Sequence, residues 1–271
     1  MKHFVIGDVH GAGEELEALI DKMGPSSDDQ VILVGDVFDR GLRADKVWDI
    51  IQGRVNQVFM GNHEYKMMAW MQGRREWLPK AYYVAMNILM AHGVAPQELL
   101  TWLEGRPLLG DYPGFIVTHA AVDPSAPLVE NVSWNVYGTS PDRVPLKVGE
   151  KQVYFWDVYD GEKLVVYGHL VCPDNLPRIR RNASGAVNSV GLDTAAVHGG
   201  PITGVCVEDF RFYSHCSGVD WGKRLEDMTK GKVLDIDPGL MAFVTSQREA
   251  LKARMETEKS DKMSSSGTLV G

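Results

Sequence analysis

Asp, Asn and His can hold divalent cations through oxygen and nitrogen, and His can move protons near neutral pH. These residues recur in five short clusters of this 271-residue chain: GDVHG at 7–11, GDVFDRG at 35–41, GNHE at 61–64, THA at 118–120 and YGH at 167–169. A single DxH or NH pair arises by chance, and a lone core histidine usually just satisfies a hydrogen bond. Five clusters in one order, each closing an apolar run, point to a constructed site. Cysteine takes no part. Cys172, Cys206 and Cys216 are odd in number and lack ligand spacing, which argues against a disulfide framework or zinc ribbon and for a reducing compartment.

Such clusters need strands to hold them. The apolar run 3–7 ends at Gly-Asp, and Leu16, Leu19, Ile20 and Met23 then repeat at helical spacing. Residues 30–34 repeat the pattern, followed by a polar loop at 35–41 and by Val47, Ile50 and Ile51 on one helical face. A third strand, 55–60, runs into Gly61. Strand-helix-strand-helix-strand predicts a parallel sheet with right-handed crossovers, whose ligands sit at the carboxyl ends of the strands. From 64 to 105 the chain turns helical and rich in Met, Trp and Tyr, divided into three helices by Pro79, Gly93 and Pro96. Met67, Met68, Trp70 and Met71 read as ordinary core, while the segment as a whole also reads as a cap over the site. Short β-rich runs at 115–118, 164–167, 187–192, 202–207 and 210–214 predict a second, largely antiparallel sheet. A C-terminal segment at 238–259, helical from Met241, precedes a Ser/Gly-rich stretch, 260–271, that reads as disordered.

Composition narrows the function. With 44% hydrophobic residues the chain can build a core as one large domain or two small ones. Its 28 Lys and Arg against 36 Asp and Glu leave a net charge of −8, which argues against a surface that grips long nucleic acid. A small anion would need a locally positive pocket. Asp8 and His10 interrupt any signal segment, and no apolar stretch reaches the ~18 residues of a membrane span, so a soluble cytoplasmic protein is expected.

In this order the five clusters resemble the GDxHG, GDxxDRG, GNHE, HA/HG and GH signature of the calcineurin-like metallophosphoesterases, in their phosphoprotein-phosphatase branch. The resemblance runs from Met1 to the neighbourhood of Ser214. The later segments VYGTSP from Val136, FWDVYDGEKLVVYGH and GLDTAAVHGGPITG are similar to one bacterial group of that branch. It holds the symmetrical-type diadenosine tetraphosphate hydrolases and the phosphatase module of polynucleotide kinase-phosphatases. The resemblance implies an α/β (α+β) fold, a two-sheet β-sandwich flanked by helices, with domain 1–237 carrying 64–105 as a cap-like helical insertion.

It also implies two divalent metals. Two such ions about 3.5–4 Å apart repel and need a shared carboxylate and a bridging water. By resemblance Asp36 is that carboxylate, Asp8 and His10 complete the first site, and Asn62, His119 and His169 complete the second. Oxygen and nitrogen donors without thiolate favour Mn²⁺, Fe²⁺, Zn²⁺ or Co²⁺ over a sulfur-preferring metal; Mn²⁺ is the expected occupant, with Fe, Zn, Co or Ni as alternatives. The residual positive charge attracts phosphate and lowers the pKa of bound water toward ~7. The implied reaction is phosphate-ester hydrolysis by metal-bound hydroxide, with His63 as proton donor to the leaving group, Asp39 orienting it and Arg40 gripping phosphate oxygens. Asp193 either supports the site from behind the ligands or caps a loop. Expected substrates are nucleotides, as diadenosine tetraphosphate or nucleic-acid-end phosphates. A serine/threonine phosphoprotein phosphatase is the alternative, and a catalytically inactive metal-binding scaffold the second alternative.

Departures from the family pattern bear on substrate. The WxR stretch that often supplies a second phosphate-clamping arginine reads Phe155-Trp156-Asp157. DTG reads Asp193-Thr194-Ala195, and GHTP reads Gly168-His169-Leu170-Val171. Arg178, Arg180 and Arg181 either approach the substrate or form a solvated loop. Lys66, Arg74, Arg75 and Lys80 either give the helical segment a positive rim toward a polyphosphate or are solvated helix faces.

Overall fold

The structure, a computed structural model, describes residues 1–139 and 146–266, with side chains as far as 258. Ser140 and Pro141 of the VYGTSP segment, and 267–271 of the expected tail, lie outside the described residues. The first half alternates strands and helices: β1 (His3–Ile6), α1 (Gly13–Met23), β2 (Gln30–Leu33), α2 (Ala44–Arg54), β3 (Gln57–Val58), α3 (Asn62–Met71), α4 (Lys80–Ala91) and α5 (Pro96–Glu104). There follow β4 (Leu109–Tyr112), β5 (Phe115–Thr118), α6 (Val132–Tyr137), a small hairpin of β6 (Lys147–Val148) and β7 (Lys151–Gln152), α7 (Phe155–Val158) and β8 (Leu164–Tyr167). The chain ends with β9 (Arg178–Arg181), β10 (Val187–Gly191), β11 (Ile202–Cys206), β12 (Arg211–His215), α8 (Trp221–Thr229) and α9 (Pro238–Ser266).

Two five-stranded mixed sheets, ordered β12-β11-β1-β2-β3 and β4-β5-β8-β10-β9, pack together with helices outside. In the first, β1, β2 and β3 are parallel as expected. In the second, β5, β8 and β10 are parallel and only the edge strands β4 and β9 run antiparallel, which corrects the expectation of a largely antiparallel sheet. A second correction concerns β11 and β12, which join the first sheet. β11 pairs antiparallel with β1, placing Val5 opposite Val205. Such long-range pairing leaves no trace in local periodicity. The third strand is shorter than expected, Gln57–Val58; beyond it Phe59 N–H bonds Leu33 O and Met60 N–H bonds the Pro107 carbonyl. The terminal helix runs on to Ser266, past the expected end at 259.

Alternation of side chains across the sheets feeds three cores. Val5, Ile32, Val34, Val117, Val166, Val190 and Val205 meet between the sheets. Phe4, Ile6, Val31 and Leu33 point the other way, onto α1 to α5. Ile116, Val165 and Tyr167 pack outward against Trp134, Phe155 and Trp156. With both faces covered, the strands read as continuous apolar runs. Helix α1 presents Leu16, Leu19, Ile20 and Met23 to the first sheet, each worth about 1.5–3 kcal/mol of burial, and stops at Gly24, whose left-handed backbone donates to Ile20 O. Within the 64–105 segment, Met67, Trp70, Met71, Met86, Leu89 and Leu103 are buried in the same core, so most of it is packed scaffold.

Candidate metal centre

Every cluster singled out in the sequence follows a parallel strand. Asp8 and His10 follow β1; Asp36, Asp39 and Arg40 follow β2; Asn62 and His63 open α3 after β3. From the other sheet, His119, His169 and Asp193 follow β5, β8 and β10. The six loops meet, burying all of these side chains except the partly exposed Arg40 and His169.

Asp36 stands at the centre of two groups of donors, His10–Asp36–His63 and Asp36–His119–His169, in each of which the ligand atoms lie within 4.8 Å of one another. Its Oδ2 faces Nε2 of His119 at 3.5 Å and Nε2 of His10 and His63 at 3.7 Å each. Its Oδ1 accepts the His63 backbone N–H at 2.9 Å, which fixes the carboxylate against the first turn of α3. A Cβ on Gly61 would overlap Asp36 Oδ1, so only glycine admits this approach.

Asp8 lies beside these groups rather than within either. Its oxygens accept the His169 backbone N–H at 3.1 and 3.2 Å, and a Cβ on Gly168 would overlap Asp8 Oδ1. Asp193 is buried nearby and caps its own loop through the Ala195 N–H at 3.1 Å. Burial, with the charges of Asp193 and Asp36, pushes the Asp8 carboxyl well up from its usual range. This crowd of buried carboxylates is chemistry that a cation would relieve.

The imidazoles fall into two kinds. Burial pulls His119 down to about 3 and lowers His169, leaving neutral rings with lone pairs to offer. At His63 burial acts in the same direction but is outweighed by Asp36 and Asp39, so the protonated form is favoured. Asp39 serves two rings rather than the one expected: Oδ2 takes His63 Nδ1 at 2.6 Å and Oδ1 takes His10 Nδ1 at 3.1 Å. Burial works against ionised Asp39, yet the imidazoles, His63 foremost, hold it well below the usual carboxylate range. The same balance, with His119 leading, holds Asp36 down.

The donor set suits divalent cations. One end of the Asn62 amide lies 3.0 Å from Asp36 Oδ2, 3.1 Å from His119 Nε2 and 3.3 Å from His169 Nδ1. With its oxygen turned inward, four acceptors converge on one point, an arrangement favourable only around a cation. Four of the residues that shape the site, His10, Asp36, Arg40 and His169, also hold φ between 49° and 72°. Non-glycine residues adopt this region at a cost of roughly 1–3 kcal/mol each, and such strain clusters at functional sites.

Several residues escaped the sequence reading. Glu64, wholly buried, accepts Asp36 N–H at 2.7 Å and Val37 N–H at 2.9 Å and so anchors the Asp36 loop. Tyr82 of α4 stacks on His63 at 5.1 Å, with the rings 7° from parallel. Of the four rim cations, Lys66 touches the centre, 2.8 Å from the outer end of the Asn62 amide. Arg75 bonds Trp77 O yet stays close enough for its charge to act on Lys66. Arg74 is held by Gln72, and Lys80 by the Thr229 and Lys232 carbonyls. The other arginines are engaged elsewhere. Arg178 lies over the Trp156 ring at 4.3 Å, Arg180 is 3.8 Å from Asp157, and Arg181 bonds Gly185 O.

Residues 1–173 match the calcineurin-like phosphoesterase family model. The symmetrical bis(5'-nucleosyl)-tetraphosphatase of Vibrio campbellii is 32% identical over 127 residues, 46% of this chain and 46% of that protein, so the chain spans about half the length of this relative. The asymmetrical bis(5'-nucleosyl)-tetraphosphatase PrpE of Bacillus mycoides is 27% identical, covering 76% of this chain and 90% of its own. A diadenosine tetraphosphatase-like protein of known structure superposes with a TM-score of 0.62 over 79% of this chain and 93% of its own, at 18% identity, a likeness of fold. The family model spans the strands and loops that carry every proposed ligand, and the chain belongs to the calcineurin-like phosphoesterases.

Proposed function

We propose that the chain is a metal-dependent phosphoesterase acting on nucleotide phosphates, either dinucleoside polyphosphates or nucleic-acid ends. The observation that carries this reading is Asp36, whose one oxygen faces three imidazole Nε2 atoms at 3.5–3.7 Å where two donor groups meet. Asp8, His10 and Asp36 are assigned to one divalent cation and Asp36, Asn62, His119 and His169 to the other, with Mn²⁺ as the preferred metal. Bound there, the cations would polarise water and neutralise phosphoryl oxygens.

The chain's own side chains do the rest. Arg40 sits at His10 Nε2 and His63 Nε2, at 3.3 and 3.2 Å, and offers its fork to two phosphoryl oxygens. His63 belongs to the first donor group by position. Because Asp39 holds its Nδ1 at 2.6 Å and leaves Nε2 facing the centre, we assign it to proton donation toward the leaving-group oxygen. Asp39 holds its ring from one side and Tyr82 covers one face. Asp193 caps its own loop beside Asp8, and its charge adds to the negative field that a cation would balance. Nucleotides are preferred as substrates because the relatives are named bis(5'-nucleosyl)-tetraphosphatases. Three free cysteines are in keeping with a cytoplasmic setting, and no described helix is long and apolar enough to cross a membrane.

The test is a side-by-side panel with Mn²⁺: diadenosine tetraphosphate, a phosphorylated oligonucleotide, a phosphoserine peptide and an aryl phosphate. The expected result is the highest kcat/KM on a nucleotide and no activity in EDTA. Preference for the peptide would replace this reading with a phosphoprotein phosphatase. Metal binding without turnover of any ester would leave a metal-binding scaffold, and full activity in EDTA would overturn the metal assignment.

A further inference from the structure

Lys66 stands one turn beyond Asn62 on α3, and residues four apart share a helix face. Lys66 is only partly exposed, with its ammonium 2.8 Å from the Asn62 amide and 6.0 Å above the Tyr137 ring. The carboxylates that act on it are Asp36 and Asp39, through space, and no ion pair to it is present among the described residues. A cation withdrawn from water without a counter-ion needs an anion.

The Asn62 amide decides when Lys66 has a partner. With nitrogen inward, the amide donates to Asp36, His119 and His169 while its oxygen accepts from Lys66. With oxygen inward toward a divalent cation, its NH₂ faces the Lys66 ammonium, and two donors cannot bond. Metal binding through Asn62 therefore releases Lys66. Arg40 lies over the first donor group, at His10 and His63, whereas Lys66 lies beside the second, which Asn62 adjoins. Among the described residues, the arginines that the second sheet offers in β9, Arg178, Arg180 and Arg181, are engaged elsewhere.

We propose that Lys66 is a phosphate-binding residue, gripping an oxygen of the phosphoryl group on the side opposite Arg40, and that it does so only once Asn62 has turned its oxygen to a cation. This rests on the reading of the site as a phosphoesterase. Phosphate binding is then ordered, metal first, by a single amide that cannot serve both partners.

The experiment compares wild type, Lys66→Met, which keeps the aliphatic stem, and Lys66→Arg, which keeps the charge. Inorganic phosphate and Mn²⁺ binding are measured by calorimetry, and KM and kcat with an aryl phosphate. With Mn²⁺ loaded, Lys66→Met should bind phosphate roughly tenfold to a hundredfold more weakly, with KM rising in step, and Lys66→Arg should recover part of the loss. Without Mn²⁺ the three proteins should bind phosphate equally weakly. Mn²⁺ affinity should stay level or rise in Lys66→Met, since a neighbouring positive charge and a competing hydrogen bond are gone. Unchanged phosphate affinity in Lys66→Met, or a fall in Mn²⁺ affinity that accounts for the phosphate loss, would overturn the proposal and leave Lys66 as a support for Asn62. A wild type that binds Mn²⁺ but neither binds phosphate nor cleaves any ester would instead remove the phosphoesterase reading itself.

Discussion

Asp39→Asn is a nearly isosteric change at a side chain that is 1% exposed, and it should separate two functions of one carboxylate. Asp39 accepts one imidazole N–H on each oxygen, from His10 at 3.1 Å and His63 at 2.6 Å, which keeps both rings protonated at Nδ1 with Nε2 toward Asp36. Asparagine has one oxygen. Its NH₂ can face the other ring only if that ring moves its hydrogen to Nε2, and that nitrogen can then no longer offer a lone pair to a cation. The loss of one charge-assisted hydrogen bond is worth about 1.5–3 kcal/mol, or roughly a tenfold to 150-fold weaker equilibrium. If His10 changes tautomer, Mn²⁺ affinity falls by that factor. If His63 does, metal binding persists and kcat falls. The pH profile gives an independent sign. His63 is raised partly by Asp39, so its protonated form is present below that raised value and lost as pH rises through it. Asp39→Asn should move the alkaline limb of kcat to lower pH. Calorimetric Mn²⁺ titration, ¹⁵N spectra of the imidazoles and the pH–rate profile measure the three effects. Both rings still protonated at Nδ1, with Mn²⁺ affinity within about twofold of wild type, would refute the argument.

Asp36→Asn should weaken both metal sites together, because both donor groups share that carboxylate, and elemental analysis should find well under two equivalents of metal. Glu64→Gln should orphan one of two buried backbone N–H groups at a cost of about 1–3 kcal/mol, lowering Tm by roughly 2–10 °C in a thermal melt. An unchanged Tm would mean that relief of repulsion against Asp36 offsets the lost bond. Away from the site, the Ser26 hydroxyl and N–H and the Lys2 N–H hold the exposed Asp29 at about 2. A depressed acid stabilises the fold above its ordinary value near 3.8 and loses that contribution as pH falls through about 2. Ser26→Ala should raise the Asp29 midpoint in an NMR acid titration, because the hydroxyl is the largest cause of the shift.

How much of this was legible in the sequence differs from element to element. A polar cluster closing an apolar run is a local signal, so 3–7 and 30–34 identified β1 and β2, and the Asp and His after them marked two of the loops that meet at the site. Helix α1 was equally plain, because its buried stripe and terminal glycine are written at helical spacing. The resemblance to the family signature let Asp36, His119 and His169 be named as candidates before any coordinate was known. What joins elements far apart in the chain could not be read this way. β11 looks like any apolar strand, and only its pairing with Phe4, Val5 and Ile6 assigns it to the first sheet. Adjacent Arg74 and Arg75 are equivalent in sequence, yet one turns to Gln72 and the other stays within electrostatic reach of Lys66. Glu64 read as one more letter of GNHE until packing placed its two oxygens on the backbone of the Asp36 loop. The sequence by itself determined which donors exist and which strand each follows. Tertiary structure alone decided which nitrogen faces Asp36 and which end of the Asn62 amide Lys66 meets, because those contacts depend on how six loops from two sheets meet.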